Sequence, residues 1–383
     1  MQRVRAEDLT LSFEGEAVLV RAVTRGIGAK VPAVAVALLA FHSTPKTPED
    51  VLAAFGPRMA PLADGLADAG LLVAPDDAAT TPVFFGGFGR VDVHRRMLQD
   101  AVRVDTYAAA IRSAIKPGMV VVDAGTGSGV LAVMAAKAGA TVYAIDNTDV
   151  LDIAKEVVAA SGVADKVTLI RGDFSTAEIP QLADIVVTET FGALALAEGA
   201  ARDLQAGCER WLKPGGRVLP GTVDLWFAPI GSHDVFARSV EVFDIKHGVD
   251  LRPLRGIATT RGATLSVTAS ELAAPGALAM SLSFPRDEGG EGQISVEVNG
   301  PIYGMVGWFS LGFGDDAVLP TGPSDPHTHW RQVVLPWATP LELSGTLVAT
   351  FTVTPDPSDR RGLEVACKWS CGDQHGTTMH RVR

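Results

Sequence analysis

The stretch Val120-Val-Val-Asp123-Ala-Gly125-Thr-Gly127-Ser-Gly129 is where residue types and spacing most plainly permit chemistry. Its β-branched run reads as a buried strand, and its three glycines let the backbone approach a ligand closely before a helix expected over Val130 to Ala138. Asp146 closes the next expected strand, 23 residues after Asp123, where a carboxylate can accept hydrogen bonds from both hydroxyls of a ribose. Asp173 and Phe174 follow a third strand, placing an acid for an adenine amino group and an aromatic beside the ring. The set fits an adenosine-bearing ligand. A dinucleotide is the rival, but its fingerprint wants Gly or Ala where Val130 stands. Asp123, beside the turn, either meets the ligand or only orients the glycines. Glu189 ends a further apolar run, and the carboxyl ends of parallel strands are where open α/β sheets bind ligands. Glu198, nine positions on, reads by itself as a helix-surface acid.

These residues need strands to hold them. From Phe84 to about Pro220, helices alternate with runs at Val120 to Asp123, Thr141 to Ile145, Val167 to Ile170, Asp184 to Thr188 and Arg217 to Leu219. That alternation predicts an α/β, Rossmann-like doubly wound parallel sheet over residues 81–220. Residues 221–383 are mostly strands, including Ile294 to Val298, Gly304 to Phe313, Leu341 to Val353 and Leu363 to Trp369, and predict an antiparallel β-barrel or sandwich. Residues 1–80 form a small α+β unit: a hairpin from Leu9 to Phe13 and Ala17 to Val20, then an apolar helix from about Pro32 to Phe41. A second helix is capped by Thr47 with Pro48 and Asp50, a third opens at Pro57, and a strand returns at Leu71 to Ala74. This order resembles winged-helix units that hold peptides in peptide-modifying enzymes. A DNA-reading unit is the rival, opposed by seven Lys and Arg against ten Asp and Glu in residues 1–80. If peptide binding holds, an extended acceptor would pair with the strand at Ala17 to Val20. A structural cap is the plainer alternative.

Three flanking motifs give the glycine turn a family. Phe84-Phe85-Gly-Gly-Phe88-Gly-Arg-Val-Asp-Val-His94-Arg-Arg-Met97-Leu98-Gln-Asp100-Ala-Val-Arg103 resembles the amino-terminal helices of the protein arginine methyltransferases, which are class I enzymes dependent on S-adenosylmethionine. Val186-Val-Thr-Glu189-Thr-Phe-Gly-Ala-Leu-Ala-Leu-Ala-Glu198-Gly-Ala resembles that family's loop with two glutamates, and Pro326-His-Thr328-His329-Trp330 its loop from the barrel. The resemblance runs from about Phe84 to the carboxyl terminus and is to a bacterial type with the extra winged-helix-like unit. It implies that His94 and Arg103 hold the cofactor together with Asp123, Gly125, Gly127, Asp146, Asp173 and Phe174, with Arg103 taking its carboxylate. It implies that Glu189 and Glu198 grip the acceptor, that His329 with Asp100 takes a proton or braces two domains, and that Met97, Phe88 and Trp330 line the acceptor pocket. Phe88 stands where the family usually has tyrosine, so a hydroxyl that would orient the glutamates is lost. The stretch Glu198-Gly199-Ala200 looks like that of monomethylating members, and Phe191 would restrict a second methyl by its bulk. A homodimer is implied, with residues 232–261 as an arm presenting Phe236, Val240, Val242 and Phe243.

Guanidinium chemistry has a use for such an acid pair. The group is a poor nucleophile because its lone pair is spread over three nitrogens, and it meets a sulfonium of like charge. Two buried carboxylates can hold the fork and draw charge from the attacking nitrogen, without a metal. The acceptor is an arginine-containing peptide or protein, or free arginine. Other acceptors in natural-product or peptide modification, and a non-catalytic peptide-binding scaffold, are the alternatives; a hydroxyl or carboxylate acceptor would gain little from two acids. The formal charge of −11 opposes a nucleic-acid partner. Cys208, Cys367 and Cys371 suit a reducing compartment. Cys367, Cys371, His375 and His380 match no standard zinc spacing, so no metal is expected. The most apolar run, Val31 to Phe41, is about half of a membrane helix, and the amino terminus lacks a secretory pattern, so a cytoplasmic protein with no membrane partner is expected.

Overall fold

A computed structural model describes residues 2–6, 9–14, 17–22, 27–75, 91–314 and 317–383. Its internal contacts divide the chain into two units, Met1–His94 with Asn147–Ile153, and Arg95–Asp146 with Ala154–Arg383.

In the first unit, strands Leu9–Glu14, Ala17–Ala22 and Ile27–Pro32 form an antiparallel sheet in that order. The expected hairpin is present, with Glu14 opposite Ala17. The third strand was not expected, and it takes Pro32, assigned to the start of the first helix, which instead runs Ala35–Phe41. A strand cannot donate its ladder while turning helical, and Pro32 closes the pairing. Helix Pro48–Phe55 begins with the anticipated reciprocal cap, in which Thr47 N–H donates to Asp50 Oδ2 at 2.8 Å and Asp50 N–H to Thr47 Oγ1 at 3.2 Å. Helix Ala60–Asp68 follows, and the short strand Leu72–Val73 pairs with Val4–Arg5. Val18, Val20, Leu38, Val51, Leu66 and Leu71 make the core. Because Ala17–Ala22 is the middle strand, bonded on both sides, it has no free edge, so the expected pairing of an acceptor peptide with Ala17 to Val20 is excluded.

The second unit contains a five-stranded, all-parallel sheet in the order Leu212–Leu219, Ala183–Thr188, Val120–Ala124, Thr141–Asp146, Val167–Arg171. Val120–Ala124 is buried at every position, as its unbroken apolar run required. It is first in sequence yet lies in the middle, so connections leave it toward opposite sides. The crevice at that switch point is where such sheets take ligands. Register places Ala124 beside Thr188, so the glycine turn and Glu189 emerge next to each other.

After this sheet the chain builds one eight-stranded antiparallel sheet. Its two longest strands are Gly290–Gly312, which absorbs the runs Ile294 to Val298 and Gly304 to Phe313 that the sequence suggested as separate strands, and Gln332–Pro355, which extends the run Leu341 to Val353. The register shifts between Ile302 and Gly304, where Gly304 has φ +148° and a β-carbon would lie 2.4 Å from the Leu335 carbonyl oxygen. Strands Ala263–Leu265, Ala277–Ser283 and Val318–Pro320 carried too little pattern to be expected. Phe227 and Phe351, from strands with another between them, stack at 3.8 Å, so the sheet curls on itself as a barrel-like layer. The strand pair Leu363–Cys371 and Gln374–Val382 buries Cys367, Cys371 and His380 and leaves His375 exposed. No described helix is long and apolar enough to cross a membrane.

Candidate active site

The glycine turn is shaped by its backbone. Gly125, Gly127 and Gly129 have φ of +79°, +52° and +84°, a region open to glycine at little cost. At Gly125 a β-carbon would come within 2.6 Å of Thr190 Cγ2, so the position tolerates no side chain. Asp146 Oδ2 accepts from Gly127 N–H at 2.9 Å, tying the second strand end to the turn. Asp123 is fully buried, and its Oδ2 accepts from the Thr126 hydroxyl at 2.6 Å. Burial pushes its carboxyl up to about 7 against the Thr126 hydrogen bond. This geometry has Asp123 orienting the turn. Phe174 is buried beside it, its ring edge 3.4 Å from where a Gly125 β-carbon would sit, while Asp173 is exposed.

Arg103 stands on the helix Ala101–Ala114 and is 6% exposed. Its Nη1 donates to Glu189 Oε2 at 2.5 Å and its Nη2 to the Met97 carbonyl at 2.6 Å. Its Nε is buried and has no partner among the described residues. An unpaired buried guanidinium N–H is costly, and a cofactor carboxylate is a group that would satisfy it. Together with the left-handed glycine turn and the carboxylate of Asp146, this donor and acceptor set fits S-adenosylmethionine. His94 is buried on the helix Val91–Gln99 but belongs to the first unit, and Phe84, Phe85 and Phe88 lie outside the described residues.

Glu189 and Glu198 share the loop that leaves strand Ala183–Thr188. Burial raises the Glu189 carboxyl, opposed chiefly by the Arg103 charge. Burial, and then Glu189 itself, push Glu198 up to about 8, with Arg361 acting in the opposite direction. The loop closes through Ala195 N–H to the Gly192 carbonyl at 3.0 Å and Ala197 N–H to the Ala193 carbonyl at 3.1 Å. Leu194, Ala195 and Glu198 all have positive φ, +51°, +61° and +83°, an arrangement that surrounding contacts must impose. Glu198 is therefore part of a tight turn before the helix Ala200–Trp211, not a free acid on a helix surface.

The barrel braces this loop. Asp100 Oδ2 lies 2.9 Å from His329 Nδ1 and accepts the His329 backbone N–H at 2.9 Å, while its Oδ1 accepts Arg103 N–H at 3.1 Å as the helix N-cap. Burial raises the Asp100 carboxyl, but the hydrogen bonds from His329 and Arg103 outweigh it and leave the group below its ordinary value. Trp330 is buried, and its indole donates to the Phe191 carbonyl at 2.7 Å, inside the two-glutamate loop. Two participants carried no motif. Tyr107, one turn beyond Arg103 on the same helix face, donates its hydroxyl to the Thr188 carbonyl at 2.8 Å, immediately before Glu189. That spacing was the available signal. Arg361, which acts on Glu198 from a barrel loop, had none in sequence.

Residues 121–216 match the family described as Methyltransferase domain, and residues 222–374 match the Arginine methyltransferase oligomerization subdomain. Protein arginine N-methyltransferase 6 of Xenopus laevis is 30% identical over 318 residues, spanning 78% of this chain and 94% of that protein. The chain belongs to the protein arginine N-methyltransferase family. Protein arginine N-methyltransferase 1.1 of Arabidopsis thaliana is 26% identical, covering 78% of this chain and 81% of its own length. The fold is shared with the Trypanosoma brucei PRMT1 enzyme-prozyme heterotetrameric complex with AdoHcy, at TM-score 0.72 and 23% identity over 77% of this chain and 99% of that one. It is also shared with Arabidopsis thaliana protein arginine methyltransferase 10, at TM-score 0.67 and 22% identity over 78% and 100% of the two chains.

Proposed function

We propose that this chain transfers a methyl group from S-adenosylmethionine to a guanidinium nitrogen of arginine in a peptide or protein. The observation that carries this reading is the pair of buried carboxylates on one loop, Glu189 and Glu198, each raised by burial. A bound guanidinium would lower both and be held as a planar fork by them. S-adenosylmethionine, when bound, supplies a methyl on a sulfonium. Arg103, Asp146 and the Gly125 to Gly129 turn would hold it, with Asp123 keeping the turn in shape. Glu189 and Glu198 neutralise the acceptor and draw charge away from the attacking nitrogen. Asp100 and His329 brace the barrel against the helix that carries Arg103, and Trp330 fixes the loop at Phe191, so alignment of the acceptor is maintained. Incubation with S-adenosylmethionine and arginine peptides should give methylarginine by mass spectrometry. Glu198→Gln should lose on the order of 100-fold or more in kcat while binding the cofactor nearly as well. Near-normal turnover in that variant would sink the reading.

The product is proposed to be monomethylarginine. Phe191 supports this: it is buried, its ring lies 4.8 Å from Phe284, and its carbonyl is tied by Trp330. A buried ring on a backbone held in this way would oppose the turning of a substituted nitrogen by its bulk. Dimethylarginine accumulating at long incubation would refute it.

A second copy of this chain is the proposed partner. Of the arm residues expected to make the contact, Phe236 and Val240 are instead buried within their own unit, where Phe236 packs on Tyr303. The exposed apolar residues of residues 232–261 are Val242, Ile245, Val249, Leu254 and Ile257. That many in so short a segment support a protein contact.

A further inference from the structure

Glu189 begins where its strand stops. The pairing of Ala183–Thr188 with Leu212–Leu219 ends at Val187, and its pairing with Val120–Ala124 ends at Thr188. Past the end of a ladder, buried backbone groups must turn to side chains for partners. Thr188 is fully buried and supplies two such bonds itself. Its hydroxyl donates to the Ala124 carbonyl at 2.9 Å and lies 3.1 Å from Thr190 Oγ1, on the far side of Glu189. Thr190 in turn stands against Gly125.

The third bond comes from Tyr107, whose hydroxyl donates to the Thr188 carbonyl at 2.8 Å. Arg103 and Tyr107 are four apart on the helix Ala101–Ala114, so they share a face. One helix therefore holds Glu189 at two places: Arg103 takes its carboxylate, and Tyr107 takes the carbonyl from which its backbone departs. The Tyr107 ring is 1% exposed and meets Phe313 edge-on at 4.8 Å, so packing fixes where the hydroxyl points. Burial first, and then the charge of Glu189, hold the phenol well above its usual range, which keeps it protonated and able to donate. A phenylalanine would fill the same core. Only the hydroxyl reaches Thr188.

We propose that Tyr107 is a positioning residue for methyl transfer: its hydroxyl, through the Thr188 carbonyl, fixes the point from which the Glu189 carboxylate reaches the acceptor. This rests on the reading of Glu189 as an acceptor-binding acid. Arg103 is shared between Glu189 and the cofactor in that reading, whereas Tyr107 belongs to the Glu189 side alone. Its loss leaves Asp146 bonded to Gly127 and Thr188 bonded to Ala124, so the cofactor end keeps its own ties. Alignment of the acceptor is what suffers.

The test is a double-mutant cycle of Tyr107→Phe and Glu189→Gln, with kcat measured at saturating cofactor and arginine peptide. In the wild-type background Tyr107→Phe should lose on the order of 10-fold in kcat, while cofactor affinity by calorimetry stays within about 2-fold. In the Glu189→Gln background the same change should cost less than about 2-fold, because the position of a carboxylate no longer matters once it is gone. An equal loss in both backgrounds overturns the proposal, since the hydroxyl would then act on the fold at large and not through Glu189. A kcat for Tyr107→Phe within about 2-fold of the wild type overturns it as well, as does a fall in cofactor affinity as large as the fall in kcat. A wild type that binds cofactor but methylates no arginine acceptor brings down the functional reading instead, and this role for Tyr107 with it.

Discussion

Glu198 carries a thermodynamic consequence of its burial. Its folded carboxyl titrates at about 8 against an ordinary value of 4.5, so between those values the folded chain holds a proton that the unfolded chain has released. Stability attributable to this group is therefore greatest below about 4.5, falls as pH rises through that window, and levels off above about 8. Glu198→Gln removes the penalty. That variant should melt higher than the wild type at pH 9, by an amount on the order of a few kcal/mol, with the difference closing toward pH 5. Thermal melts at the two pH values check this, and a gap that does not change with pH would contradict it. Burial of this acid at the expense of fold stability is consistent with the acceptor-binding role proposed for it.

At the scale of elements, the loop between strand Ala183–Thr188 and helix Ala200–Trp211 meets the barrel at Gly199 with no room for a side chain. Gly199→Ala would introduce both an unfavourable φ of +69° and a β-carbon 2.4 Å from the Arg360 carbonyl oxygen, a backbone atom of the barrel loop 356–362, which bonds from Ser358 to Asp356 and from Arg361 to Asp359 tie to itself. The variant should lose about 2 kcal/mol or more of stability and at least 10-fold in kcat, while cofactor affinity, set on other strand ends, stays within a few-fold. Unchanged turnover would show that the turn has slack. The helix Ala101–Ala114 makes the complementary point: one carboxylate, Asp100, both caps it and receives His329 from the barrel.

For the whole molecule, assembly and the first unit are the open consequences. Ile257→Glu and Val249→Glu place charges at residues 55% and 58% exposed, so they should leave folding intact yet convert a dimer to monomer in light scattering at micromolar concentration. A wild type that is already monomeric there would count against the dimer. In the three-stranded sheet of the first unit the edge strands are Leu9–Glu14 and Ile27–Pro32, so an extended acceptor added to that sheet would pair with one of those. Removal of residues 1–80 should then raise KM for a peptide while sparing kcat. Equal loss on free arginine and peptide would indicate a cap instead.

Much of the site was legible because strand ends and tight turns leave local marks: β-branched runs stopping at an acid, glycines where φ must be positive, and Thr47 with Asp50 as a cap. The parallel sheet, and the strand ends that form the candidate site, followed from sequence for that reason. Glu198 was legible only through resemblance, since nothing local distinguishes it from a surface acid; its left-handed backbone is imposed by a carbonyl 163 positions away in sequence, that of Arg361. Tertiary structure alone decided that Ala17–Ala22 is a central strand, that Phe236 and Val240 are core and not interface, and that Arg103 reaches Glu189. Periodicity reports which face of an element is buried, but not which neighbour buries it. Sheet order, long-range carbonyl contacts and the charge around a buried acid are set by chain closure in three dimensions, where residues with no common pattern meet.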